Sequence, residues 1–225
     1  MPSLPKEITQ RIADAHSAFR ETLVPTVRRR WDMIPGEPGR PRVGWVEEPV
    51  SQMVDGHWHR RNTAQAEHVR AYLLVLAAIH QDIKEAGHAG PDLPELKANC
   101  AALDITGPLL LPEEQQLAAV DFRYACFADE ASFQWCDFNG YADFHRADFK
   151  GKARFDHVCF NAGADFRRTV FCQSANFICA MADDERLADF SWATFIGFAD
   201  FEGHINPHFS FDQAKFLGGA DFDAI

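Results

Sequence analysis

The chain has 225 residues and 47% hydrophobic content, enough for a real core in one or two domains. Its formal charge is −11 and unevenly shared: residues 1–120 hold 16 acids and 13 bases, residues 121–225 hold 17 acids and 9 bases. That balance argues against direct nucleic-acid binding, which needs basic surface to displace counterions, and favours a basic protein partner or plain solubility. The longest apolar run, Ala71 to Ile79, is far too short to span a bilayer. The opening Met-Pro-Ser-Leu-Pro-Lys-Glu lacks the apolar stretch of a secretory signal, and the six Cys form no CxxC pair. The expectation is a cytoplasmic protein with reduced thiols and no membrane attachment.

In chain order, Ser3 and Pro5 make a helix start, followed by Ile8, Ile12, Ala15, Phe19 and Leu23 on one face. Pro25 and the basic run Arg28–Arg30 close that segment. Residues 34–50, with Pro35, Gly36, Pro38, Gly39 and Pro41, read as a loop or linker. Asn62 or Thr63 caps a second helix running to about Gly87. Its centre, Leu73-Leu74-Val75-Leu76, is apolar on all sides, which predicts a core helix. A shorter helix is predicted over Pro94–Leu103. The segment from Pro112 to Ala119 reads as a helix that enters and caps the C-terminal half of the chain.

From residue 122 onward the chain becomes a ruler of phenylalanines. Phe recurs at 122, 127, 133, 138, 144, 149, 155, 160, 166, 171 and 177, then at 190, 195, 201, 211, 216 and 222, which uses 17 of its 20 Phe. Steps of five and six alternate, so the period is 11 with two Phe in each. A small residue stands two before nearly every Phe, as in Ala142-Asp143-Phe144. Residues two apart share one side of an extended strand, so Ala and Phe point inward together. The period-two alternation excludes the right-handed coiled coil that an 11-residue repeat otherwise allows. A fixed short period marks a solenoid.

The units Ala147-Asp148-Phe149-Lys150-Gly151, Ala175-Asn176-Phe177-Ile178-Cys179 and Ala193-Thr194-Phe195-Ile196-Gly197 resemble the pentapeptide-repeat family, whose unit is A-(D/N)-(L/F)-x-x. The resemblance covers about 105 residues. It implies a right-handed quadrilateral β-helix; with the helices read ahead of it, the expected fold is α+β, mainly β, with an α-helical domain over 1–111 and the β-helix over 112–225. The extra residue at every second step predicts about 22 residues per coil. Four steps per coil then stack Phe122, Phe144, Phe166, Phe190 and Phe211 on a first face. A second face takes Phe127, Phe149, Phe171, Phe195 and Phe216, and a third takes Phe133, Phe155, Phe177, Phe201 and Phe222. The fourth holds Phe138 and Phe160, then Ala182 and Asn206, where the ruler breaks.

Several constellations carry candidate chemistry. Asp121, Asp143, Asp165 and Asp189 form an acidic ladder on the first face, with Arg123, Arg146, Arg167 and Arg168 expected to compensate it. On the third face Asp200, Glu202, Asp221 and Asp223 are expected to cluster without a nearby base, and Asp183-Asp184-Glu185 projects from the fourth. Outward residues of the second face, Val170, Cys172, Ile196 and Leu217, are apolar enough to suggest docking by the helical domain or by a partner. His57, His59 and His68 with Asp55 match no standard metal-ligand spacing, so no metal or other cofactor is expected. The repeat cysteines Cys126, Cys136, Cys159, Cys172 and Cys179 place no adjacent-coil pair on one side, so no disulfide is expected. No G-x-S-x-G, P-loop or G-x-G-x-x-G is present, and one carboxylate per strand is explained by the repeat itself.

These features point to a non-enzymatic protein–protein interaction scaffold displaying an acidic surface, Asp183, Asp184, Glu185, Asp200, Glu202, Asp221 and Asp223, to a basic partner. The resemblance adds an alternative. Some pentapeptide-repeat proteins resemble DNA in shape and charge and bind type II topoisomerases such as gyrase, protecting them from poisons. It also implies a homodimer through the C-terminal end of the solenoid.

Overall fold

The computed structural model describes residues 4–34, 42–54, 57–87, 93–183, 186–203 and 208–223. Helix α1, Lys6–Glu21, starts after extended Pro5 and ends at Thr22, with Glu7 in its first turn and Arg20 in its last, both suited to the helix dipole. It buries Ile12 and Phe19. Helix α2, Ala66–Glu85, buries Val69, Tyr72, Leu73, Leu76, Ile79 and Ile83. It is not the all-round core helix that its apolar centre predicts, since Val75 is exposed.

The segment between the helices is strand, not helix or loop. Val27–Ile34 pairs antiparallel with Arg42–Pro49, and Ser51–Val54 pairs with His57–Arg60. β-branched and aromatic residues such as Val27, Trp31, Val43 and Trp45 favour that pairing, which local helix signals do not report. The Pro/Gly run 35–41 lies outside the described residues.

The solenoid begins earlier than the phenylalanines announce. The predicted helix at Pro94–Leu103 is one 3-10 turn, Pro94–Leu96, followed by strand Ala98–Asn99, which pairs parallel with Val120–Asp121. Leu103–Thr106 pairs with Cys126–Phe127, Leu109–Leu110 with Ala131–Ser132, and Gln116–Leu117 with Asp137–Phe138. The helix expected at Pro112–Ala119 is therefore a turn and a strand of a first coil. Buried Cys100, Ile105, Leu111 and Leu117 occupy the positions that Phe holds in later coils. Capping falls to α2, which packs across strands on all four sides of that coil. Smaller aliphatic residues leave room there for the Leu and Ile side chains of the helix, and the otherwise open end of the stack is covered.

Four parallel sheets follow, one per face, each strand two residues long in the repeats. Ala142 pairs with Val120 on one side and Ala164 on the other, giving the expected 22-residue coil. The next coil lengthens, pairing Ala164 with Ala188. Phe122, Phe144, Phe166, Phe190 and Phe211 stack with ring centroids 4.6–5.4 Å apart. Phe127, Phe149, Phe171, Phe195 and Phe216 stack at 4.4–5.1 Å. Phe133, Phe155, Phe177, Phe201 and Phe222 form the third column, and Phe138 with Phe160 the fourth. Rings in one column are near-parallel, whereas the first and third columns meet edge to face, as for Phe144 and Phe155 at 5.5 Å and 86°, and the first and second meet tilted, as for Phe144 and Phe149 at 6.0 Å and 42°. Ala182 replaces Phe on the fourth face; Asn206 lies outside the described residues. Phe209, paired with Ala188, brings its ring against Phe190 and Phe201.

The two step lengths make two kinds of corner. At five-residue steps a tight turn closes with a bond such as Ala147 N–H to the Phe144 carbonyl, 2.9 Å, and its third residue has positive φ. Tyr124, Trp135, Arg146, His157, Arg168 and Trp192 all occupy that left-handed position, where side chains cost about 1–2 kcal/mol. Lateral bonds such as Arg146 N–H to the Arg167 carbonyl, 3.0 Å, hold them there. Six-residue corners instead bring coils close together: a Cβ on Gly151 would stand 2.2 Å from the backbone of Asp129.

Truncating Phe166 to Ala, between stacked Phe144 and Phe190, is expected to cost about 3–5 kcal/mol in urea denaturation, because nothing in a one-dimensional core collapses to fill the void. The half-buried Phe222 should cost much less on the same change.

Candidate functional site

On the first face, strands Val120–Asp121, Ala142–Asp143, Ala164–Asp165 and Ala188–Asp189 carry four carboxylates in register. Each accepts the backbone N–H two residues on: Arg123, His145, Arg167 and Ser191 at 2.8–3.2 Å. Arg123 forks onto Asp121 at 2.9 and 2.7 Å and lies 3.4 Å from Asp143. Arg167 does the same with Asp165 and lies 3.7 Å from Asp189. Lys97 reaches Asp121 at 3.1 Å. Arg146 and Arg168, expected to join this compensation, instead sit at the tight corner, over the rings of Tyr124 and Trp192 at 5.5 and 5.9 Å.

The ladder is electrostatically uneven. Burial works to raise the Asp121 carboxyl, but Arg123 and Lys97 hold it below the ordinary carboxylate value. Burial pushes Asp143 up to about 6, with Asp121 and Asp165 on either side adding to the effect against the His145 N–H and Arg123. Burial also lowers the imidazole of His145. The column is thus built into the face and largely spent on its own neighbours.

The third face brings Asp200, Glu202, Asp221 and Asp223 together. Asp200 and Asp221 stand opposite each other on paired strands. Each spends an oxygen on the backbone N–H two residues on, Glu202 at 3.1 Å and Asp223 at 2.9 Å. Bases are closer than the sequence indicates: Lys152 and Arg154 line the same groove of about 240 Å³ as Asp200, Asn176 and Phe198. Asp183 is exposed beyond the fourth-face strand Met181–Ala182, away from that cluster. Asp184 and Glu185 lie outside the described residues.

The second face is not covered by the helices. α2 caps the end, and the second sheet is prolonged by Asn62–Gln65 and Val24–Pro25. Its outer edge stays bare: Ile196 is 48%, Phe198 47% and Leu217 68% exposed. Ile196 and Leu217 each follow a paired core residue, Phe195 and Phe216, so they stand on adjacent coils. Their outward repeat positions make Ile196 and Leu217 legible in the sequence, whereas Phe198 is not. It is a Phe off the ruler, and that departure is the signal that could have found it.

Asp55 lies outside the described residues, as do the side chains of His57 and His59; His68 lies on α2, 3.9 Å from Glu67. Among the described residues no group of His, Cys, Asp and Glu is placed to hold a metal ion. All six cysteines are free thiols. Among the described residues no helix is long and apolar enough to cross a membrane. Compared with protein-family models, curated proteins and solved structures, the chain matches none.

The raised Asp143 carboxyl sets a pH dependence. Its folded value lies above the 3.8 of a free Asp, so its contribution to stability is present below pH 4 and is lost as pH rises through about 6. Asp143→Asn keeps the acceptor for His145 and removes that loss. The variant should be about 1–2 kcal/mol more stable than wild type at pH 7.5, with the gap closing near pH 4, in paired urea titrations.

Proposed function

We propose that the chain is a non-enzymatic protein-binding scaffold whose contact surface is the outer edge between the second and third faces of its last coils. The observation that carries this reading is the exposed apolar edge of Ile196, Phe198 and Leu217 on a backbone held rigid by stacked coils. Large exposed side chains in one patch cost solvation unless a partner covers them. The acids of the third face, Asp200 and Asp221, flank that edge, and Phe198 shares a groove with Asp200. A partner that suits both presents an apolar side chain bordered by basic residues, the apolar part supplying affinity and the charges orientation. A rigid display surface also has little to lose in ordering on binding.

DNA mimicry toward a type II topoisomerase is the narrower alternative. Its support is the acidic balance of residues 121–225 and the in-register pair Asp200 and Asp221. The first-face ladder contributes little to it, because Lys97, Arg123 and Arg167 already answer those carboxylates.

Affinity capture with wild type and with Ile196→Asp/Leu217→Asp separates these readings. The apolar pair should weaken binding of a captured partner about ten-fold or more while leaving the melting temperature unchanged. Capture that ignores the pair but is lost on Asp200→Lys/Asp221→Lys, together with inhibition of gyrase supercoiling by wild type, would move the conclusion to mimicry. Capture indifferent to both pairs would sink the scaffold surface.

A further inference from the structure

A cleft of about 770 Å³ opens where α1 meets the head of the first face. The second half of α1 supplies His16, Phe19 and Arg20, and Leu23 follows just beyond its end. The chain entering the second sheet supplies Arg60 and Asn62, and α2 supplies Tyr72. The floor is the start of the solenoid, with Lys97, Asn99, Ala101, Leu103, Asp121 and Arg123. On a chain of net charge −11, this pocket is lined by four cations and one carboxylate.

Its walls are held in place before any ligand arrives. The His16 Nε2–H must donate to the Glu95 carbonyl, 2.7 Å away, since a carbonyl only accepts. Nδ1 and the Tyr72 hydroxyl share a hydrogen bond at 2.6 Å, and Tyr72 in turn accepts the Asn99 N–H at 3.3 Å. Phe19 stacks on Tyr72 with ring centroids 4.1 Å apart. This network ties α1, α2 and the first coil together around the cleft. Lys97 and Arg123 converge on buried Asp121, which fixes both cationic heads along the floor. Arg20 anchors its Nε on the His16 carbonyl at 3.1 Å. Next to Arg60, Arg61 turns the other way and forks onto Asp104.

We propose that this cleft binds a small phosphorylated molecule, its phosphate seated between Arg20, Arg60 and Lys97 and its body against Phe19 and Leu23. Asp121, with Asp143 beyond it, answers Lys97 and Arg123, so Arg20 and Arg60 leave two positive charges for the ligand to answer, which suits a phosphate dianion better than a single carboxylate. The volume is that of a small-molecule site. A nucleic acid is disfavoured, because a strand leaving the cleft along the first face meets Asp143 and Asp165 next.

The test is isothermal titration of the full chain with inorganic phosphate and with pyrophosphate at constant ionic strength. Saturable binding is expected, weakened about ten-fold or more by Arg20→Ala and by Arg60→Ala, each losing a charge-assisted contact. Both side chains are exposed, so the unliganded melting temperature should stay at the wild-type value, and that measurement separates lost binding from lost folding. Arg168→Ala, on a solenoid corner away from the cleft, should bind like wild type. Absence of saturable heat, or equal binding by wild type and both arginine variants, would overturn the proposal.

Discussion

Everything in this molecule depends on the interior of one coil being filled by the same shapes as the interior of the next. A coil contributes four large side chains, four small ones and very little else to the space it encloses. Because the first three coils repeat every 22 residues and the later ones stay within two residues of that, a ring in one coil meets the equivalent ring of its neighbour at stacking distance. Ring offset and edge-to-face contact between columns then fix the rotation of each coil on the last. Backbone ladders run between coils and not within them, so neither the ring stack nor the ladder forms without the other. Stability in such an object is a sum over neighbours, and its ends are where the sum is incomplete.

That dependence explains which parts of the fold were legible. Phe at alternating steps of five and six betrays the four columns, their register and the coil length, because one side chain serves every inward position. The first coil escaped the same reading because Cys100, Ile105, Leu111 and Leu117 do that work there. Their spacing runs five, six and six and then five to Phe122, one step off the alternation, and the residue type changes where α2 replaces a neighbouring coil. The strands between the helices were illegible for a different reason. Arg28 opposite Glu48 and Trp31 opposite Trp45 are partners only once a hairpin brings them together, and local propensity does not report such long-range pairing. The candidate surface divides along the same line. Repeat register placed Asp200 opposite Asp221, but the bases Lys152 and Arg154 beside them come from earlier coils and enter only through stacking.

The outer surface is nearly independent of this constraint. Positions flanking each Phe point away from the core, so the fold does not choose between Asp, Arg, Val or Cys there. What the fold does impose is columns: whatever occupies an outward position stacks on its equivalents. Like charges therefore accumulate by default, and the first face shows the correction, with Arg123 and Arg167 each bridging two rungs of the carboxylate ladder. Tight corners use the same columnar effect differently. The left-handed corner residues place Trp135 flat on His157 at 3.8 Å, so strain in the backbone is offset partly by contact between coils.

The two ends of the described solenoid then differ for a physical reason. At the first coil, aliphatic side chains of uneven length make a surface that a helix can grip, and α2 takes it. A helix is straight and a coil is square, so the cover cannot be complete. Space is left beside α2 over the first face, where α1 and the chain entering the second sheet close around it. That space falls at the head of the carboxylate column, where Asp121 has no rung above it except Asn99. Burying Asp121 there demands compensating cations from outside the repeat, and Lys97 with Arg123 supplies them. Once two cations have been drawn to one end to answer Asp121 and its neighbour Asp143, the addition of Arg20 and Arg60 tips the balance from neutral to positive. The repeat itself therefore generates both the need for cations at this end and the cleft in which they collect.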